Sequence, residues 1–206
     1  MMNLGGDERI YPASMTKIMT ALLTIENLPD LNETITVPED IFEELTAQDA
    51  SVAGFNPYEQ PTVRDLLYGV LLPSGADACE TLARAVGGSE EGFVAMMNQK
   101  AEELGLTNTH FENCTGLHND NHYSTCRDIA VLMSECLKSD TFREIVTREV
   151  YTTEATASHP EGITLYDTML HRFTSYEMST TLENGAVIEG GKTGFTDEAG
   201  QCLVSF

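Results

Sequence analysis

A chain of 206 residues with 41% hydrophobic content and no tryptophan can bury a core of ordinary size, as one domain or most of a slightly larger one. Its 33 Asp plus Glu against 11 Lys plus Arg give a formal net charge of -22, which repels phosphate backbones and argues against a nucleic-acid partner. The five cysteines (Cys79, Cys114, Cys126, Cys136 and Cys202) are odd in number, widely spaced and without a C-x-x-C pair, so neither a zinc ribbon nor a full disulfide set is indicated.

In chain order, the N-terminus lacks the basic and apolar regions of a signal peptide, and no run approaches the roughly 18 apolar residues of a membrane helix. The protein is therefore expected to be cytoplasmic, or to have its signal outside this sequence. From Ser14 onward, Met15, Ile18, Met19, Leu22 and Leu23 recur at i, i+3, i+4, i+7 and i+8, the stripe of a buried helix with Ser14 at its start. Thr34 to Val37 reads as a short strand. Thr62 followed by Asp65 predicts a capping box opening a helix through Leu71, which Pro73-Ser74-Gly75 breaks. A helix from about Asp77 to Val86 and another from Ser89 to Gly105 follow, the first carrying Cys79 at an apolar position.

Thr107 to Phe111 reads as extended. An Asn, His and Gly-rich loop, 113–123, precedes a helix capped by Thr125 and Asp128 that turns Ile129, Leu132, Met133, Cys136 and Leu137 inward. A short helix from about Thr141 to Val146, a strand over Glu149 to Thr153, weak alternation at Ala186 to Ile188 and an apolar strand from Gln201 to Phe206 complete the reading. No repeat or linker appears, so residues 1–206 are expected to form a single domain, helix-rich in the middle with strands toward the ends.

Three short strings can carry chemistry. Ser14-Met15-Thr16-Lys17 puts a hydroxyl and an amine one helical turn apart, and a lysine whose pKa is depressed by burial or by a second cation can serve the serine as base. Ser74-Gly75-Ala76 lies in a tight turn between two helices, where a hydroxyl can project into a cleft or simply cap a helix. Lys192-Thr193-Gly194 follows two glycines and precedes a strand; Lys and Thr suit a carboxylate and Gly lets a backbone come close. Each string alone is as readily a cap or a turn, but their order, S-x-x-K then S-x-x then K-T-G, is far more specific.

With these motifs in place, the chain resembles the D-alanyl-D-alanine carboxypeptidases among the low-molecular-weight penicillin-binding proteins, the S11 type of serine peptidase. The resemblance is carried by the block 11–21 around Ser14, by 71–78 around Ser74, by Gly116-Leu117-His118 with His122-Tyr123-Ser124-Thr125, and by 191–200. It implies an α/β fold of the β-lactamase/transpeptidase-like kind, α+β in detail, with a mostly antiparallel sheet flanked by helices and a helical subregion carrying Ser74. It also implies that Ser14 attacks the D-Ala-D-Ala bond, Lys17 takes its proton and Ser74 relays a proton to the leaving D-alanine. Lys192 and Thr193 would hold the electrostatics and the substrate carboxylate, Gly194 the close approach, and the N–H groups of Ser14 and Phe195 the oxyanion hole. Penicillins and other β-lactams should acylate the same serine, and no metal or organic cofactor is implied.

Where the family's second motif usually ends in Asn, this chain has Ala76, which can touch neither lysine nor substrate through an amide. A catalytically weak or silent penicillin- or peptidoglycan-binding module is therefore the alternative. A class A β-lactamase would need an E-x-x-L-N glutamate, and that string is absent. His118, Asp120 and His122 allow a metal-cluster reading, with a solvated loop as the simpler account. The family sheet takes strands from segments outside this one, so the chain is expected to be a partial catalytic domain, with a signal, a further domain and an anchor elsewhere. The site of action implied is extracytoplasmic, at the cell envelope.

Overall fold

The computed structural model describes residues 4–206. Its centre is a helix buried on every side. After strand β1 (Arg9–Ile10) the chain makes a single 3-10 turn, Ala13–Thr16, and enters α1 (Lys17–Asn27), in which every residue from Lys17 to Thr24 is buried. Such a helix must be wrapped by others. Around it pack α3 (Val63–Leu71), α4 (Ala76–Gly87), α5 (Glu90–Glu103), α6 (Cys126–Cys136) and α7 (Asp140–Val146). All five apolar residues of the predicted stripe lie in this core, and Cys79 and Cys136 are buried there as packing thiols.

The expected caps form. Thr62 Oγ1 accepts the Asp65 N–H at 3.1 Å while the Asp65 carboxylate accepts the Thr62 N–H at 3.1 Å, a reciprocal box of the kind that contributes about 1 kcal/mol. Ser89, Thr125 and Ser139 cap α5, α6 and α7 through their hydroxyls.

Antiparallel pairing is present in three two-stranded ladders. β1 pairs with β2 (Ser124–Thr125), β3 (Val150–Thr152) with β4 (Thr164–Tyr166), and β5 (Gly191–Thr196) with β6 (Gly200–Ser205). The segments 34–37 and 107–111 are not strands; each contributes one isolated bridge, Thr34 with Thr62 and His110 with Tyr123. The alternation near Ala186 likewise reduces to a Thr181–Val187 bridge. Two short helices escape the sequence pattern, α2 (Ile41–Ala47), with only Ile41 and Leu45 buried, and α8 (Leu170–Ser175), with no buried residue.

Two differences bear on the site. The nucleophile candidate does not open an α-helix; Ser14 sits inside the 3-10 turn, preceded by Ala13 at φ 47°, and α1 begins at Lys17. And Lys192-Thr193-Gly194 does not precede a strand but lies within β5, paired residue for residue with Val204, Leu203 and Cys202.

Candidate active site

Three segments with no contact in sequence meet at Ser14. The 3-10 turn packs against both β5 and β6. At the closest point a Cβ on Gly194 would lie 2.9 Å from the Ser14 nitrogen and 3.1 Å from Ala13 Cβ, so a larger residue there would lift the strand away from Ser14. Gly116 does the same from the other side: at φ +85°, its missing Cβ would stand 1.9 Å from the Ala13 carbonyl oxygen. These two glycines fix the distance between the serine and its surroundings.

Ser14 is half-buried, and its Oγ lies 3.0 Å from Lys17 Nζ. Lys17 is 3% exposed and donates to the carbonyl of Thr115 at 2.5 Å. Burial lowers its pKa below that of an ordinary lysine, because the charged form loses its water. Nearby acids oppose that effect, Glu80 among them, yet Glu80 is itself held neutral up to about pH 8 by burial and by Glu90 beside it. With Glu80 carrying less negative charge near neutral pH, its opposition to that lowering is weakened.

Lys192, 1% exposed, donates to the Thr193 carbonyl at 2.9 Å. Burial first, and the neighbouring Lys17 cation second, push it down to about 7, with Asp167 pulling the other way. Two buried amines that feel one another cannot comfortably both be charged.

Ser74 stands at φ 67°, a left-handed conformation rare outside glycine. It is 6% exposed, and among the described residues its Oγ is the one buried side-chain oxygen or nitrogen with no hydrogen-bond partner. Strain and an orphaned hydroxyl at one residue are features that structures maintain at functional sites. The turn is held by Asp77, whose carboxylate accepts the N–H groups of Ala53, Gly54, Phe55 and Ala78. Asp77 lies within electrostatic reach of Lys17, and Cys79, on the same helix, within reach of both lysines. Ala76 is buried and offers only its N–H, to the Ser51 carbonyl.

Several residues that position this array carry no motif signal. Asn113 Oδ1 accepts the N–H of Thr115, the hydroxyl of Thr115 and the N–H of Gly116, while its amide donates to Leu117. That turn holds the Thr115 carbonyl where Lys17 meets it. An Asn three residues before a glycine is the trace such a turn leaves in sequence. His122 spends both ring nitrogens on protein partners, Thr16 Oγ1 at 2.8 Å and the Glu112 N–H at 3.1 Å, and burial pushes it down to about 4. A neutral imidazole so engaged is a clamp between the Ser14 turn and the 110–123 loop, and the metal reading of His118, Asp120 and His122 falls with it. Among the described residues, the group whose ligand atoms lie within 4.8 Å of one another is instead Glu80, Glu90 and Cys114, behind Lys17; there the thiol donates to Glu80.

The family profile described as D-alanyl-D-alanine carboxypeptidase, peptidase S11, matches residues 1–206. The chain belongs to that family. It is 36% identical over 204 residues to the D-alanyl-D-alanine carboxypeptidase DacF of Bacillus subtilis, covering 98% of this chain and 49% of that one. It is also 36% identical to a D-alanyl-D-alanine carboxypeptidase of Streptomyces sp. K15, covering 96% and 68%. The crystal structure of the Streptomyces K15 DD-transpeptidase superposes with a TM-score of 0.85 at 33% identity, covering 99% of this chain and 78% of that one. Penicillin binding protein 5 from Haemophilus influenzae gives 0.82 at 28% identity, covering all of this chain and 56% of its own. The fold is that of the DD-peptidases, β-lactamase-like in type, and this chain spans about half the length of the DacF relative.

Proposed function

We propose that this chain is the catalytic part, residues 1–206 of one domain, of a serine-type D-Ala-D-Ala carboxypeptidase that trims peptidoglycan stem peptides. The observation that carries the reading is the Ser14 Oγ to Lys17 Nζ contact of 3.0 Å, with the lysine 3% exposed and its pKa depressed by burial.

Neutral Lys17 takes the Ser14 proton as Oγ attacks the carbonyl of the penultimate D-alanine. The oxyanion collects at the N–H groups of Ser14 and Phe195, which Gly194 lets approach. As the peptide C–N bond breaks, the leaving D-alanine amine receives a proton relayed through Ser74, whose hydroxyl has no protein partner to give up. Lys192, buried in the same array, adds positive charge to the site when it is protonated, and Thr193 holds the substrate carboxylate. Water then opens the acyl-enzyme, one proton returning to Ser14. β-Lactams present a carbonyl and a carboxylate to the same groups. The expected compartment is the cell envelope, where peptidoglycan lies; no helix among the described residues is long and apolar enough to cross a membrane.

The test is release of free D-alanine from a diacyl-Lys-D-Ala-D-Ala peptide. Turnover that disappears in Lys17→Ala and Ser74→Ala supports the enzyme. Acylation by a β-lactam without turnover favours the binding-module alternative, for which buried Ala76 is the motivating feature.

A further inference from the structure

Behind Lys17, three side chains that the mechanism does not use converge from three separate elements. Glu80 comes from the middle of α4, Glu90 from the first turn of α5, and Cys114 from the loop that leads to Thr115. One ligand atom of each lies within 4.8 Å of the other two. Cys114 binds to both carboxylates: its thiol donates to Glu80 Oε1 at 3.3 Å and its N–H to Glu90 Oε1 at 3.2 Å. Cys114 and Glu80 are buried and Glu90 is half-buried. A cavity of about 240 Å³ reaches both glutamates, and the residues on either side of Cys114, Asn113 and Thr115, line it too.

Two carboxylates and a thiol bring no positive charge of their own. Arg84, the cation that reaches Glu80, stands 3.8 Å from its Oε2 and is engaged with Asp40 at 2.7 Å. Glu44 and Glu112 add two further carboxylates to the cavity wall, so the way in is negative and draws a cation inward. The spacing suits one metal ion. Two ligands on a tetrahedral zinc, with Zn–S about 2.3 Å and Zn–O about 2.0 Å, stand roughly 3.5 Å apart. Cys114 Sγ and Glu80 Oε1 are already 3.3 Å apart. The sulfur decides the class of ion, because calcium and magnesium gather about six to eight oxygens whereas a thiolate selects zinc and softer metals.

We propose that Glu80, Glu90 and Cys114 form a zinc site, with a water from the cavity in the fourth position. On binding, the Cys114 S–H bond breaks, its proton passes to solvent and a bond from sulfur to zinc takes its place, while each glutamate coordinates through one oxygen. A carboxylate has lone pairs enough to accept the Cys114 N–H and a metal together. The Cys114 carbonyl accepts Thr20 Oγ1 at 2.6 Å, and the next carbonyl, that of Thr115, accepts Lys17 Nζ. Bound zinc therefore ties α4 and α5 to the backbone that seats the lysine, a structural role outside the chemical step.

The experiment titrates the metal-free folded chain with Zn²⁺ against a chromophoric chelator, and separately with Co²⁺, whose bond to a thiolate gives a near-ultraviolet charge-transfer band. The chains are the parent, Cys114→Ser, Glu80→Gln, Glu90→Gln and Cys126→Ser, and none of the readouts requires turnover. Expected are equimolar zinc on the parent, a cobalt–thiolate band, and a melting temperature that zinc raises. Each of the three site variants should lose more than about tenfold in affinity, since even partners one shell further out cost that much. Cys126→Ser, which removes an exposed thiol, should behave as the parent. A folded parent that takes up no zinc overturns the site, and so does zinc held as tightly by Cys114→Ser, or a cobalt band lost in Cys126→Ser and kept in Cys114→Ser. Glu90→Gln, at a half-buried position, carries the comparison if a variant at a buried position does not fold.

Discussion

Replacing Lys192 by Met should stabilise the fold while destroying its chemistry. Lys192 is 1% exposed, has one hydrogen bond, and holds its proton only to about pH 7 in the folded chain against 10.5 as a model lysine. Between those values the unfolded chain binds a proton that the folded chain does not, so the parent gains stability as pH rises from 7 to 10.5; below 7 both forms are protonated and the penalty is complete. The gap corresponds to about 5 kcal/mol against folding below pH 7. Methionine leaves the Thr193 carbonyl without its donor and Asp167 without its cation, losses of about 1–3 kcal/mol, so the net gain expected at pH 6 is about 2–4 kcal/mol. For a chain of this length that raises the melting temperature by roughly 5–10 °C. The assay is urea unfolding of parent and variant from pH 6 to pH 10. The stability difference should be largest at pH 6 and shrink steadily toward pH 10, while acylation is lost throughout. A variant less stable than the parent at pH 6, or a difference that does not change with pH, would refute the view that this lysine is held at a cost for function.

Three further outcomes are expected. Asn113→Ala removes three accepted bonds and one donated bond from the turn that presents Thr115 to Lys17; stability should fall by about 2–3 kcal/mol, and β-lactam acylation measured in the fully folded range should drop at least tenfold. Gly116→Ala places a Cβ 1.9 Å from the Ala13 oxygen at a φ of +85°, and should cost at least about 2 kcal/mol in chemical denaturation while slowing acylation. His122, pushed down to about 4 from 6.5, makes stability fall as pH drops from 6.5 to 4, by up to about 3 kcal/mol; His122→Gln should flatten that part of the acid-stability curve.

The parts of the site that were legible in the sequence are those whose geometry is local. Ser14 and Lys17 sit one turn apart because they stand three positions apart in sequence, and the 3-10 turn that replaces the first α-turn keeps that spacing. Thr62 with Asp65, and Thr125 with Asp128, announce their helices because a cap closes on its own third residue. What was missed is set by distant packing. Nothing near Lys17 in sequence says that the Thr115 carbonyl receives its amine, since a backbone oxygen has no residue code. Thr168 meets Thr193 only after the turn before α8 folds onto the hairpin. α2 and α8 were missed because a helix of six or seven residues that buries two side chains or none shows no hydrophobic period. The placement of Lys192 to Gly194 inside β5 was obscured by the two glycines before it, which read as a turn but serve close approach to Phe206 and Val204.

The proposed mechanism requires Ser14 to act as nucleophile 3.0 Å from the Lys17 amine, whose pKa burial lowers. Its most direct test is the intact mass of this chain and of Ser14→Ala after incubation with benzylpenicillin. One covalent adduct on the parent, mapped to Ser14 and absent from the variant, is the predicted result; an unmodified parent of native fold, or an adduct that survives in Ser14→Ala, would contradict it.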